Sequence, residues 1–159
     1  MTITNKDQEF MQEAIRLADE SVVNGGGPFG AVIVKDGEII AGSSNSVTLD
    51  NDPTAHAEVN AIRKACKKLN TFDLSGCVIY TSCEPCPMCL GAIYWAHIDR
   101  VYYGNTRADA AEIGFADNFI YEELEKPLER RILPIIALRS DKAIRTFKMW
   151  HDKTDKTEY

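Results

Sequence analysis

The chain has 159 residues, enough for one ordinary domain that removes roughly two-thirds of its unfolded surface from water. Apolar residues make up 45% and charged residues 26%, the mixture of a globular protein, which excludes a disordered or low-complexity chain. With 18 basic and 24 acidic residues the net charge is −6, which excludes a generally basic nucleic-acid binder but not a local basic patch.

The opening MTITNKDQEF has no basic region followed by an apolar core, and no apolar run is long enough to span a bilayer. The expectation is a soluble cytoplasmic protein without a targeting segment. Phe10, Met11, Ala14, Leu17, Ala18 and Val22 recur at helical spacing, with Thr4 and Asp7 as a cap and Asn24 to Pro28 as a stop. Phe29–Val34 and Glu38–Ala41 read as two strands joined by Lys35-Asp36-Gly37, a hairpin signal. A polar loop is expected over 42–54, a helix over 55–69, a turn at 73–76 and a buried strand at Val78-Ile79-Tyr80. An apolar helix over 86–96 and a strand over 100–104 follow, then a helical stretch near 108–113 and a polar stretch around Asp117 and Tyr121. A strand at Ile132–Leu138 and an amphipathic helix over 141–151 close the pattern, before a charged tail. Helices alternating with strands after an opening hairpin predict a three-layer α/β/α domain around a mixed five-stranded sheet.

Five cysteines, three of them crowded at 83, 86 and 89, point to metal or redox chemistry in a reducing compartment. Cys86 and Cys89 lie one turn apart at the start of a helix, where the dipole favours thiolate, the metal-binding form. His56, at the start of another helix, would complete a three-ligand zinc site with one position open, the count of a catalytic zinc. Glu58 can approach the metal without ligating it. His56-Ala57-Glu58, a gap of 26 residues, then Pro85-Cys86-Pro87-Met88-Cys89 is the H-x-E…P-C-x-x-C signature of zinc nucleobase deaminases. A ferredoxin-type cysteine run would need a cysteine at position 93, where Ile93 stands, and a redox Cys83/Cys86 pair would leave His56 and Glu58 idle. Cys83, Cys66 and Cys77 are read as packing residues. Gly25-Gly26-Gly27-Pro28-Phe29-Gly30 matches G-x-G-x-x-G formally, but it follows a helix and precedes a strand, the reverse of a dinucleotide fingerprint. It serves either to bring backbone and Phe29 close to a ligand or as a plain turn.

On these residues the chain resembles the cytidine-deaminase-like superfamily and, within it, the bacterial guanine deaminase branch. The resemblance runs through GGPFGAVIVKDG (26–37), DPTAHAEVNAIRKAC (52–66), YTSCEPCPMCLGAIYWA (80–96), GFADNFIYEEL (114–124) and the final EY. The middle two segments are shared with tRNA adenosine deaminases; the surroundings of Asp117 and the terminal Tyr159 favour guanine. The resemblance implies one deaminase domain over 1–159 with one Zn2+ per chain, acting on guanine to give xanthine and ammonia. It implies that Asn45 hydrogen-bonds the purine, that Phe29, Ala57 and Trp95 contact it, and that Asp117 is a second acid beside Glu58. It also implies a homodimer in which residues 140–159 cross to the neighbouring subunit and Tyr159 closes the neighbour's pocket. Ala116 stands where related sequences can carry a second acidic residue.

Other readings share parts of this pattern. A tRNA adenosine deaminase would use the same core, with Arg139, Lys142, Arg145, Lys148 and Lys153 as its basic face; the acidic run Glu122-Glu123-Leu124-Glu125 speaks against it. A guanosine or triazine deaminase would share the fold. A non-catalytic zinc-binding interaction domain would have no use for Glu58.

Overall fold

In a computed structural model that describes residues 2–159, the chain opens on the expected capped helix, α1 (Asn5–Val23). The Thr4 hydroxyl accepts from the Asp7 N–H at 3.2 Å, and the Asp7 carboxylate accepts from the Thr4 N–H at 2.7 Å, so two orphan donors are satisfied reciprocally. Strands β1 (Gly30–Lys35) and β2 (Glu38–Ser44) form an antiparallel hairpin about Asp36 and Gly37, both at positive φ. A short helix α2 (Val47–Asp50) interrupts the loop read at 42–54, and β2 takes its first three residues. Helix α3 (Ala57–Leu69), β3 (Cys77–Cys83), α4 (Pro87–Trp95) and β4 (Arg100–Asn105) follow near their expected places. The sheet order is β2-β1-β3-β4, with β1 antiparallel and β4 parallel to the central β3. The β3-α4-β4 unit is therefore a crossover, as parallel strands require.

Alternation along β1 and β3 sends side chains to both faces. Val32, Val34 and Tyr80 face α1 through Ala14, with Phe10, Met11 and Leu17 packed around them. Ala31, Ile33 and Ile79 face the other layer, with Ala57, Ala61 and Ala65 of α3 and Ile93 and Ala96 at α4. Both faces are covered, which makes the three layers. Small residues set the spacing: a Cβ on Gly30 would stand 2.2 Å from the Ala14 carbonyl oxygen, so only glycine lets α1 lie directly on β1. The Tyr80 hydroxyl donates to Asp7 at 2.5 Å and ties the start of α1 to the sheet.

Two compact units divide the chain, the first reaching Asn118 and the second spanning Phe119–Tyr159. The first ends with α5 (Arg107–Glu112), capped by Thr106 and Asp109. The second holds α6 (Asn118–Glu125) at its start, a single 3-10 turn at Leu128–Arg130, and α7 (Asp141–Asp152). The polar stretch read around Asp117 and Tyr121 is the helix α6, in which Phe119 and Ile120 precede three glutamates and Leu124 lies among them.

The sheet has four strands among the described residues, so the expectation of five is corrected. The segment 132–138 forms no ladder. Pro134 lacks the N–H that an interior strand position needs, and the segment has no strand partner among the described residues. Its residues are exposed: Ile136 to 85% and Leu138 to 95%.

Candidate active site

Two helix N-termini build the site. His56 is the N-cap of α3 and Cys86 the N-cap of α4, each with extended backbone. His56 spends no side-chain hydrogen bond on capping, so its imidazole is left for other partners. Pro87 opens α4 where its missing N–H costs nothing, and one turn later Cys89 points to the same side as Cys86. The Cys89 N–H lies 3.5 Å from the Cys86 sulfur.

His56 Nδ1 is 3.5 Å from Cys86 Sγ and 3.4 Å from Cys89 Sγ, and all three ligand atoms lie within 4.8 Å of one another. Zinc bonds of about 2.3 Å to sulfur and about 2.0–2.1 Å to nitrogen, set at the tetrahedral angle, separate sulfur from nitrogen by about 3.5 Å. The triad fits a zinc ion with three protein ligands. The electrostatics agree. The Cys86 thiol is pushed down to about 4, chiefly by a hydrogen bond from Cys89 and then by His56. The Cys89 thiol is pushed up by the same bond and by burial. The hydrogen bond to Cys86 raises the His56 imidazole.

Glu58, in the first turn of α3, is buried. Burial, and then the Cys86 charge, raise its carboxyl. The Thr81 hydroxyl on β3, also buried, lies 3.4 Å from Glu58 Oε1 and donates to the Cys83 carbonyl at 2.9 Å. Asp117 is half-buried, and its carboxyl is raised by burial and then by the Cys86 charge, which places it within electrostatic reach of the cluster. Ala57 is fully buried between His56 and Glu58.

Asn45 and Phe29 meet where β2 and β1 reach this end of the sheet: the Asn45 N–H donates to the Phe29 carbonyl at 2.9 Å. Asn45 is 6% exposed, and the Phe29 ring sits edge-on to Phe115 at 4.9 Å. Trp95, on α4, is 67% exposed. Tyr159 lies in the second unit and is exposed. Cys83 is buried with its thiol pushed up to about 11, first by burial, and Cys77 is fully buried, both as packing residues would be. Cys66 is half-buried.

The model of the cytidine and deoxycytidylate deaminase zinc-binding region matches residues 4–105, which contain the sheet, the triad and Glu58. The chain belongs to the cytidine and deoxycytidylate deaminase family. Within that family it is 55% identical to a guanine deaminase of Bacillus subtilis (strain 168), over 96% of this chain and 98% of that protein. An X-ray structure of guanine deaminase from Bacillus subtilis superposes with a TM-score of 0.94 at 53% identity, covering 99% of both chains. A tRNA-specific adenosine deaminase of Aquifex aeolicus (strain VF5) is 47% identical over 59% of this chain and 62% of its own length. The deaminase fold expected from the sequence and the zinc-binding His/Cys/Cys group are thus both present.

Sequence reading passes over Ser21 and Thr81. Ser21 carried a signal: it is a polar residue on the buried Ala14–Ala18 stripe of α1. Thr81 carried none, since a threonine in a strand is ordinary.

Proposed function

We propose that the chain hydrolyses guanine to xanthine and ammonia, as a zinc-dependent deaminase of purine metabolism. The observation that carries this is the match over 98% of the guanine deaminase, through the segment beyond residue 105 that the family model does not cover. His56, Cys86 and Cys89 hold the zinc, which when bound supplies Lewis-acid activation of a water nucleophile.

Glu58 is the proton shuttle. A buried carboxyl whose affinity for a proton is raised by burial suits both halves of the task. It takes the proton of the water that attacks C2 and delivers one to the adjacent ring nitrogen. Glu58 then takes the proton of the new C2 hydroxyl as C2=O forms, a proton passes from Glu58 or Asp117 to the exocyclic amine, the C–N bond breaks, and ammonia leaves. Asn45 binds the purine by hydrogen bonding, and Phe29, Ala57 and Trp95 form the apolar contacts.

The working unit is a homodimer. The exposed apolar residues of the second unit, above all Ile132, Leu133, Ile136 and Leu138, require a covering surface, and a second copy supplies it. Residues 140–159 cross to that copy, and Tyr159 closes its purine pocket, which excludes water and leaves little room for a ribose.

The test is ammonia release by the zinc-loaded protein over guanine, guanosine, adenine, adenosine, cytosine and a tRNA anticodon hairpin. Guanine is expected to lead the panel; preference for the hairpin or for guanosine contradicts this reading.

A further inference from the structure

Beside the candidate purine site lies a buried polar contact that the chemistry above does not use. Ser21 is 2% exposed, and its hydroxyl donates to the Asn45 backbone carbonyl at 2.9 Å, linking α1 to the residue that follows β2. The Ser21 carbonyl in turn accepts from the Gly26 N–H at 2.7 Å. Gly26 is wedged against both: a Cβ there would stand 2.4 Å from Ser21 Oγ and 2.6 Å from the Asn45 oxygen. The close approach requires glycine at this position.

The Asn45 side chain is held as firmly as its backbone. Its Oδ1 accepts from the Val47 N–H at 3.2 Å and from the Gly27 N–H at 3.4 Å. These two donors settle which way the amide faces, because the opposite orientation would set its NH2 against two N–H groups. The amide oxygen is therefore committed within the protein, and the Nδ2 donors are the polar group that remains.

We infer that Ser21 is a positioning residue: its hydroxyl, with the Gly26 turn wedged against it, fixes Asn45 so that the amide offers its NH2 alone to the substrate. The position then demands an acceptor, and guanine carries acceptors at O6, N7 and N3. This rests on the reading that Asn45 binds the purine. Ser21 touches neither the substrate nor the triad, so its loss acts on binding and not on turnover.

The experiment is Ser21→Ala, examined with zinc loaded. The variant leaves the buried Asn45 carbonyl without its partner. KM for guanine is expected to rise about fivefold to tenfold, the size of one lost hydrogen bond, with kcat within about twofold. Zinc content stays at the wild-type value. Hydrogen exchange is measured in parallel without substrate: the Gly27 and Val47 amides, both held by Asn45 Oδ1, should exchange faster while those of β3 do not. Should Ser21→Ala fail to fold, Gly26→Ala tests the same contact from the turn, because its Cβ pushes Ser21 Oγ and Asn45 apart. Unchanged exchange at Gly27 and Val47, or an unchanged KM, overturns the inference. Because exchange is read without guanine, a wild-type protein that failed to deaminate guanine would defeat the functional reading and leave this contact tested.

Discussion

Ile33 and Ile79 in the first unit are fully buried, whereas Ile136 and Leu138 in the second are exposed to 85% and 95%. Aliphatic side chains of the same kind meet opposite fates because the first unit stacks three layers and closes both faces of its sheet. The second has two helices and a 3-10 turn with no buried residue in any of them. The hydrophobic effect is proportional to area removed from water, so the apolar composition of the second unit stabilises it only against a surface outside itself. The first unit holds the His56, Cys86 and Cys89 cluster within its own core layers; the second leaves its apolar residues uncovered.

The largest effect that would break this contrast lies in the first unit. His56→Ala, Cys86→Ala and Cys89→Ala should each lower zinc to a small fraction of the wild-type content and abolish ammonia release. Cys83→Ala should keep the zinc, because that thiol packs against the Thr106 carbonyl outside the triad. Zinc analysis of the four variants decides the ligand set, and loss of zinc on changing Cys83 alone contradicts it.

The second unit is probed next. If the proposed homodimer uses this face and Tyr159 is delivered by the neighbouring copy, Ile136→Asp with Leu138→Asp should sediment as a monomer where wild type sediments as a dimer, leave zinc bound, and depress guanine turnover at least tenfold (about 1.4 kcal/mol). A chain ending at Lys153 should remain dimeric, keep zinc and lose turnover as well. Full activity in either variant contradicts the completion of one copy's site by another.

A smaller effect sharpens how α1 is fastened to the first unit. Hydrogen bonds from Thr4, and then Tyr80, hold the Asp7 carboxyl below its ordinary value of 3.8. A depressed carboxyl contributes stability that is fully present above its unfolded value and is lost as pH falls through the folded one. Asp7→Asn should therefore melt at lower temperature than wild type near neutrality, and the gap should close below about pH 3.8. A gap that stays constant from pH 7 to pH 3 contradicts the carboxylate's role.

The helices and strands of the first unit were legible because their periods and caps are local: Thr4 with Asp7, Asp36-Gly37, and Pro87 after Cys86 each act within a few residues. The cluster of His56, Cys86 and Cys89 was legible because its spacing is itself the ligand geometry, two thiols on one helical turn and a histidine at a second helix start. Ser21 was legible only as a polar residue on a buried stripe; its partner was not, because it lies 24 residues away and is a backbone carbonyl that no side-chain pattern encodes. The run at 132–138 was misread because its apolar residues imply burial without saying against which surface, and Pro134 counts against an interior strand. Helix α6 was hidden by its three glutamates and the Asp117 before it.

In the proposed chemistry Glu58 moves the protons at a zinc site it does not build. The direct measurement is Glu58→Gln, with zinc content and guanine turnover determined on the same preparation. Wild-type zinc content is expected together with a fall in kcat of about 10²–10⁴-fold or more, since one group serves successive transfers. Zinc content unchanged with kcat near wild type would contradict it.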